Sequence, residues 1–252
     1  MLSVSEISRT FTSQRASVEA LRAVSFDLKR NQFVTLVGPS GCGKSTLFRI
    51  LVGLDQQTNG SISIDGTEIN SAKARQQLFG YMPQQDALLP WRSILQNLLI
   101  GPEIASQNIN AARKKARELI PAFGLAGFEE AYPHTLSGGM RQRAALLRTY
   151  LADRDILLLD EPFGALDALT RRELQAWLLD ISQSLQKTIL FITHDIDEAI
   201  YLGDRVMVMS PRPGHIQDLQ DIPFSRPRRP EMLLTPQFQQ LKAALLDSLE
   251  NR

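Results

Sequence analysis

Residues 38–46, which read Gly-Pro-Ser-Gly-Cys-Gly-Lys-Ser-Thr, constrain the fold of this chain more than any other stretch. They fit the pattern Gly-x-x-x-x-Gly-Lys-Ser/Thr, in which glycines let the backbone curl until several N–H groups face one point. A compact apolar run, residues 33–37, precedes the loop, and residues 47–51 continue it with a helical pattern. Because a helix that begins at such a loop adds positive charge there, the stretch is predicted to bind phosphate between a strand and a helix.

Each part of this loop has an expected role. Lys44 is predicted to reach the β- and γ-phosphates of a nucleotide, and the Ser45 hydroxyl is predicted to ligate Mg²⁺. The alternative is a glycine-rich turn without a ligand, which the flanking strand and helix disfavour. The residues predicted to contact the nucleotide here are Gly38, Pro39, Ser40, Gly41, Cys42, Gly43, Lys44, Ser45 and Thr46.

Composition narrows the class of protein around this loop. A chain of 252 residues with 43% hydrophobic and 22% charged residues is long enough for one large α/β domain, or for one domain with a small appendage. The net charge of +1 argues against a general nucleic-acid-binding protein. The chain has a single cysteine, Cys42, and shows neither a signal-like N-terminus nor an apolar run of about 18 residues. Together these features predict a cytosolic protein.

Strand and helix patterns alternate along most of the chain, which predicts a mostly parallel sheet with helices on its faces. Residues 60–66 alternate with a period of two, as in an antiparallel edge strand. The expected division is one large α/β domain over residues 1–222, with an inserted helical subdomain at about 85–155, followed by a basic, proline-rich linker and a short C-terminal helix over 223–252. The charged side chains of the linker are expected to be solvated.

Local signals place several helix starts. Asn110 is predicted to cap a helix that runs through Phe123. Thr170 and Glu173 have the spacing of a capping box, and Thr235 followed by Pro236 predicts the start of the C-terminal helix.

A second segment with chemical content is the apolar run at 156–159 followed by Asp160 and Glu161. A buried strand that ends in a carboxylate places it at the edge of the sheet where nucleotides bind in open α/β folds. Asp160 is predicted to hold Mg²⁺, and Glu161 is predicted to polarise the attacking water. The alternative is a strand end with two solvated acids.

The most diagnostic segment is Leu136-Ser137-Gly138-Gly139-Met140-Arg141-Gln142-Arg143. In the plainer interpretation it is an N-cap with a flexible approach. In the other it is a second anion site, with a hydroxyl and bare glycine N–H groups aimed at phosphate. This segment resembles the signature of the ATPase subunits of ATP-binding cassette (ABC) transporters, so the fold class is expected to be α/β, a P-loop NTPase of the ABC type with a mostly parallel core sheet, an antiparallel β edge and an inserted helical subdomain.

The other elements of that family stand in the expected order. Phe11 lies where the family has an adenine-stacking ring, although Tyr is more usual there. Gln84 matches the glutamine that senses Mg²⁺ and the permease, and His194 matches the switch histidine that contacts the γ-phosphate. Asp167, in Ala165-Leu166-Asp167, resembles the loop that crosses between subunits.

The resemblance implies an ATPase whose two copies pack head to tail. Each ATP would lie between the phosphate-binding loop of one copy and Ser137, Gly138 and Gly139 of the other. The family implies Glu161, His194 and Lys44 as catalytic residues and Ser45, Gln84 and Asp160 as Mg²⁺ ligands, with ATP and Mg²⁺ bound.

The chain holds one cassette, so its permease is expected to be a separate membrane polypeptide, fed by a substrate-binding protein. The chain itself would lie peripherally on the cytoplasmic face of the membrane. The segments Leu88-Leu89-Pro90-Trp91 and Ser210-Pro211-Arg212-Pro213-Gly214 resemble the ATPases of importers for nitrate, sulfonates, taurine or pyrimidine precursors. The alternatives are the motor of an exporter or lipoprotein-release complex and a non-transport ABC ATPase. Trp91 is either a core residue or a wall of the groove for the permease.

Overall fold

A computed structural model describes residues 1–13, 16–164, 166–184 and 187–250. Its strands are β1 (Leu2–Thr12), β2 (Ser17–Leu28), β3 (Phe33–Val37), β4 (Asn59–Ile64), β5 (Thr67–Glu68), β6 (Phe79–Met82), β7 (Ile156–Asp160), β8 (Thr188–Ile192), β9 (Arg205–Met209) and β10 (Ile216–Asp221). Its helices are α1 (Lys44–Leu51), α2 (Ala72–Leu78), α3 (Ile94–Leu98), α4 (Ile100–Ile104), α5 (Ile109–Leu119), α6 (Gly138–Leu151), α7 (Ala168–Ser184), α8 (Ile196–Leu202) and α9 (Pro236–Glu250). None of the helices in these residues is both long and apolar enough to cross a membrane.

The chain divides into two compact units. The first comprises Met1–Gln77 together with Ser182–Arg252, and the second comprises Leu78–Ile181. The first unit therefore contains the phosphate-binding loop, and the second contains the helical segments between β6 and β7.

One sheet of the first unit is antiparallel, with the strand order β2-β1-β4-β5. β1 contains 11 residues and β2 contains 12, and their pairing is interrupted by register shifts. The antiparallel prediction for residues 60–66 is confirmed, but its edge position is wrong, because β4 pairs with β1 on one side and with the two-residue β5 on the other.

The second sheet of this unit contains β10, β9, β3 and β8 in that order. β3 pairs in parallel with both β8 and β9, whereas β10 is antiparallel to β9. All five residues of β3 are buried, which is the burial expected of a parallel strand covered on both faces. The carboxyl end of β3 leads directly into the phosphate-binding loop, and the parallel core that the sequence predicts is confirmed.

The C-terminal helix begins where the sequence predicts, and it packs against this unit. The Phe238 N–H donates to the Thr235 hydroxyl at 3.3 Å, so Thr235 caps α9. Phe238 and Leu245 are buried in a cluster that includes Ile200 and Val206. These contacts attach α9 to α8 and β9 through one apolar face.

The prediction that the basic linker is solvated is wrong for two of its arginines. The Arg226 guanidinium donates to the Asp204 carboxylate at 2.8 Å and to the Leu202 carbonyl at 2.9 Å. Arg228 is buried and donates to carbonyl groups at the end of α8. The composition of the linker did not reveal these contacts, because the acceptors on Leu202, on Asp204 and at the end of α8 lie more than twenty residues away in sequence.

In the second unit β6 and β7 pair in parallel, and α3–α6 lie between them in the chain. Two predicted caps in this unit are wrong. Asn108, not Asn110, accepts the hydrogen bonds that begin α5. Asp167, not Thr170, accepts from the N–H groups of Leu169 and Thr170, at 3.1 and 3.0 Å, and α7 begins at Ala168. In both cases an earlier residue with a short carboxylate or amide side chain competes as the cap.

Candidate functional site

The phosphate-binding loop has the backbone that its glycines allow. Gly41 has φ +76° and Gly43 has φ +113°, conformations that residues with a Cβ rarely adopt. Gly43 is the N-cap of α1, where no side chain caps the helix and no acidic residue lies in the first turn. No carboxylate within the first turn of α1 therefore opposes its positive end, which suits an anionic ligand such as a nucleotide phosphate.

Lys44 lies within this loop. Its ammonium nitrogen donates to the carbonyl oxygens of Gly38 at 2.7 Å and Pro39 at 3.1 Å, and it is 3.7 Å from the Cys42 sulfur. Lys44 and Cys42 are both buried, whereas Ser40 and Ser45 are exposed. The loop thus fixes a cation where the sequence predicts the phosphates.

Two further residues predicted for the nucleotide lie in the same unit. Phe11 is near the end of β1 with 40% of its surface exposed, and the Arg9 guanidinium lies 4.5 Å from the centre of its ring. One face of the ring therefore already carries a cation. His194 is exposed in the connection between β8 and α8, next to Asp195, which caps α8 by accepting from the Glu198 N–H.

The second unit brings three predicted residues together at the end of β7. Asp160 is its last residue and is 2% exposed. The Gln84 side-chain nitrogen donates to the Glu161 carboxylate at 3.2 Å, and the Gln142 side-chain nitrogen donates to the Glu161 carbonyl at 3.1 Å. Hydrogen bonds thus hold both the carboxylate and the backbone carbonyl of Glu161.

The signature segment forms the start of α6. The Ser137 hydroxyl accepts from the Met140 N–H at 3.3 Å and so caps the helix. Ser137 and Gly138 are exposed, and no acidic residue lies in the first turn. The plainer interpretation as an N-cap is correct, and a helix start with an exposed glycine and no acidic residue is also suited to an anion.

Two arginines that sequence reasoning did not assign fasten the segment after Gln84 to α6. Arg141 donates to the Asp86 carboxylate at 2.9 Å and to the Leu136 carbonyl at 2.8 Å. Arg148 donates to the carbonyls of Asp86 at 2.8 Å and Ala87 at 2.7 Å. Burial lowers the pKa of Arg148, and the charge of Asp86 partly opposes that shift. The segment after Gln84 and the signature helix therefore form one connected structure.

Asp167 lies in the connection between β7 and α7. Hydrogen bonds from the backbone and side chain of Thr170, followed by that from the Leu169 backbone, lower the pKa of Asp167. Its carboxylate is therefore ionised at neutral pH. Ala165, which precedes it in the predicted loop, lies outside the described residues.

The predicted Mg²⁺ ligands supply hydroxyl, amide and carboxylate oxygens, from Ser45, Gln84 and Asp160. This is the ligand chemistry that Mg²⁺ prefers, with water completing the shell. Gln84 contacts Glu161 through its amide nitrogen and not through the oxygen that would face a cation. Among residues 1–13, 16–164, 166–184 and 187–250, no group of three or more His, Cys, Asp or Glu side chains forms a cluster suited to a resident metal. The ligand assignments therefore stay predictions.

In the first unit, a buried parallel strand leads into a glycine loop that holds a lysine, which is the phosphate-binding element of P-loop proteins. In the second unit, a buried strand ends in a carboxylate, which is the other element typical of P-loop nucleotide hydrolases. The model of the family "ABC transporter" matches residues 21–164. This chain belongs to that family, as an ATP-binding cassette with ATPase activity, and the expected family and fold class are confirmed.

Named relatives cover most of the chain. The aliphatic sulfonates import ATP-binding protein SsuB of Bacillus thuringiensis subsp. konkukian is 41% identical, over 99% of this chain and 96% of the relative. An uncharacterized ABC transporter ATP-binding protein of Methanocaldococcus jannaschii is 45% identical, over 90% of this chain and 84% of the relative. The dimeric post-hydrolysis structure of the ATP-binding cassette MJ0796, bound to ADP and Pi, matches with a TM-score of 0.81 and 28% identity, over 89% of this chain and all of that one.

Proposed function

We propose that this chain uses ATP to drive import of a small organic anion through a separate membrane permease. An aliphatic sulfonate is the first candidate substrate, because several relatives that match nearly the whole chain are named for sulfonate import. Nitrate, taurine and pyrimidine precursors belong to the same group of expected substrates. The chain would act at the cytoplasmic face of the membrane as a peripheral subunit, and a substrate-binding protein would supply the permease.

The observation that carries the proposal is the presence of two helix starts suited to phosphate, one in each unit. α1 begins at the glycine loop with Lys44, and α6 begins at the exposed Ser137 and Gly138. A single nucleotide does not need two separate anion sites of this kind. We therefore propose that two copies of the chain share two ATP molecules, each gripped by the loop of one copy and the signature of the other. The structural relatives are described as dimeric.

In the proposed reaction, Lys44 and His194 stabilise the γ-phosphate, and Glu161 orients the attacking water and accepts its proton. The Gln84 contact would hold the Glu161 carboxylate in a defined position before substrate arrives. Mg²⁺, held by oxygen atoms of Ser45, Gln84 and Asp160, would neutralise charge on the β- and γ-phosphates. Phe11 would stack on the base through the ring face that Arg9 does not cover.

The permease partner would meet the second unit near Trp91. This side chain is 71% exposed, which rules out the alternative that it is a core residue. Tryptophan side chains on a protein surface are common anchors of protein–protein interfaces. Its exposure supports the proposal that it lines the groove for the permease.

The experiment that tests this function is sedimentation of the Glu161→Gln variant with and without MgATP. Removal of the base should slow hydrolysis by about 10²–10⁴-fold and leave ATP bound. The variant should then sediment as a dimer with ATP and as a monomer without it. Ser137→Arg in the same background should abolish the dimer, because it places a bulky side chain at the proposed second anion site. Ser225→Arg, at another exposed serine, is the matched control and should still dimerise.

A protein that binds ATP yet stays monomeric, both alone and together with its permease, would contradict the shared site. Co-purification of the chain with a membrane permease tests the transport part separately. Failure to co-purify with any permease subunit would contradict the importer assignment and favour a non-transport ABC ATPase.

A further inference from the structure

We infer that Arg212 is a positioning residue for the phosphate-binding loop. The inference rests on the proposed use of that loop for nucleotide. Arg212 lies in the segment Ser210-Pro211-Arg212-Pro213-Gly214, between β9 and β10. Its guanidinium donates to the Gly41 carbonyl from Nε at 3.2 Å and from Nη2 at 2.8 Å. One side chain from a distant part of the sequence therefore holds a backbone oxygen of the loop.

This contact controls the direction of an N–H group. The peptide unit is planar and trans, so the Gly41 carbonyl and the Cys42 N–H point in opposite directions. The Cys42 N–H points toward the Pro39 carbonyl at 3.3 Å, and the Lys44 ammonium lies on that same carbonyl. When Arg212 holds the Gly41 oxygen, the Cys42 N–H stays turned into the loop. The positive charge of Arg212 beside the Gly41 oxygen also polarises this peptide unit and makes the Cys42 N–H a better donor.

The segment that carries Arg212 is itself anchored. The Gly214 N–H donates to the Ala20 carbonyl at 3.0 Å, and the Arg22 N–H donates to the Gly214 carbonyl at 2.9 Å. The Ser210 hydroxyl is 2.8 Å from the His215 ring nitrogen Nδ1, which closes the turn. Arg212 therefore projects from a fixed base.

Gly214 makes a second contact with the same loop. A Cβ at Gly214 would overlap the Cys42 carbonyl oxygen, so the two backbones touch directly. Glycine is required at this position for that close approach, since any side chain would push the loop away. Gly214 and Arg212 thus hold neighbouring peptide units of the phosphate-binding loop, and the segment acts as an outer support for it.

The role predicts a specific kinetic effect. A preformed loop binds the phosphates in the ground state and in the transition state alike, so its loss raises KM and leaves kcat nearly unchanged. Arg212→Ala should raise KM for MgATP, and weaken the binding of ATP and ADP, by about tenfold, the effect of one charge-assisted hydrogen bond. Arg212→Lys keeps the charge and one donor and should recover affinity to within about threefold of the wild type.

The experiment measures nucleotide affinity by calorimetry, steady-state hydrolysis and thermal unfolding without nucleotide, all on the full chain. Arg30→Ala removes another exposed arginine of the first unit, one paired with Asp65, and is the matched control. It should leave affinity and KM unchanged. Lys44→Ala provides the reference for lost binding.

Unchanged ATP affinity in Arg212→Ala would overturn the inference. So would an affinity loss that Arg212→Lys does not recover and that accompanies an equal loss of stability without nucleotide, because a merely structural contact gives that result. A wild-type protein that binds ATP no better than Lys44→Ala would instead contradict the proposed function itself. The two failures are therefore distinguishable.

Discussion

Two residues that are not glycine adopt left-handed backbone conformations at or near the predicted site. Glu161 has φ +49°, and Ala87, three residues after Gln84, has φ +46°. Each such conformation costs about 1–2 kcal/mol for a residue with a Cβ, and strain of this kind concentrates at functional sites. The Ala87 carbonyl accepts a hydrogen bond from Arg148, and the Glu161 carbonyl accepts one from Gln142. Side chains of α6 therefore stabilise both turns.

The strain at Ala87 makes a direct prediction. Ala87→Gly should stabilise the protein by about 0.5–1 kcal/mol, since relief of the left-handed conformation exceeds the added flexibility of the unfolded chain. Urea denaturation measures the change. Ala243→Gly, at an exposed position inside α9, should have the opposite sign and destabilise by about 0.5–1 kcal/mol. Equal destabilisation by both substitutions would show that Ala87 is not strained.

At the scale of elements, the end of α8 depends on a residue outside the helix. The Arg228 Nη1 donates to the carbonyls of Ile200 at 3.0 Å, Tyr201 at 2.9 Å and Gly203 at 2.7 Å, and the side chain is 1% exposed. Burial, with a smaller effect of the Arg226 charge, lowers the pKa of Arg228 to about 10, so it remains cationic at neutral pH. A buried cation at a helix C-terminus opposes the negative end of the helix dipole and satisfies carbonyls that the helix leaves without partners.

Arg228→Ala should therefore destabilise the protein by about 3 kcal/mol, because several buried carbonyls lose their donor at once. The neighbouring Arg229 is exposed, and Arg229→Ala should change stability by less than about 0.5 kcal/mol. Urea denaturation of the two variants under the same conditions compares a buried with a solvated arginine of one linker. Similar small effects in both would contradict the capping role of Arg228.

The elements that the sequence predicts well are those whose signal is local. The apolar runs at β3 and β7 and the Thr235 cap of α9 follow from neighbouring residues alone. The caps at Asn108 and Asp167 were missed because two suitable residues lie close together, and only the hydrogen bonds decide between them. The burial of Arg228 has no local signal, since the three carbonyls that accept from its Nη1 lie more than twenty residues away.

At the scale of the whole molecule, the sequence motifs predict which residues serve the nucleotide, and the long-range contacts determine how they are held. The contact of Arg212 with Gly41 joins residues that are 171 positions apart. Motif spacing predicts the chemistry of each loop. It does not predict which distant side chain contacts the loop and supports it. The sequence therefore predicts the residues of the family motifs more fully than it predicts the residues that hold those motifs in position.

The dependence of thermal stability on protein concentration distinguishes ATP binding to a monomer from ATP-dependent association of two copies. A monomer that binds ATP gains stability that does not depend on protein concentration, whereas an ATP-bound dimer gains more as the protein becomes more concentrated. With saturating MgATP, the Tm of the Glu161→Gln variant should rise by about 2 °C for each tenfold increase in protein concentration.

The control is Glu161→Gln combined with Ser137→Arg. Its Tm should be lower overall, because the N-cap of α6 is lost, but it should not depend on protein concentration. Ser225→Arg in place of Ser137→Arg should restore the dependence. Because the slope and not the level of Tm carries the result, a destabilised variant still gives a clear answer. A flat dependence in the Glu161→Gln variant would mean that ATP binds to one copy at a time, and Ser137, Gly138 and Gly139 would then act only as a helix cap.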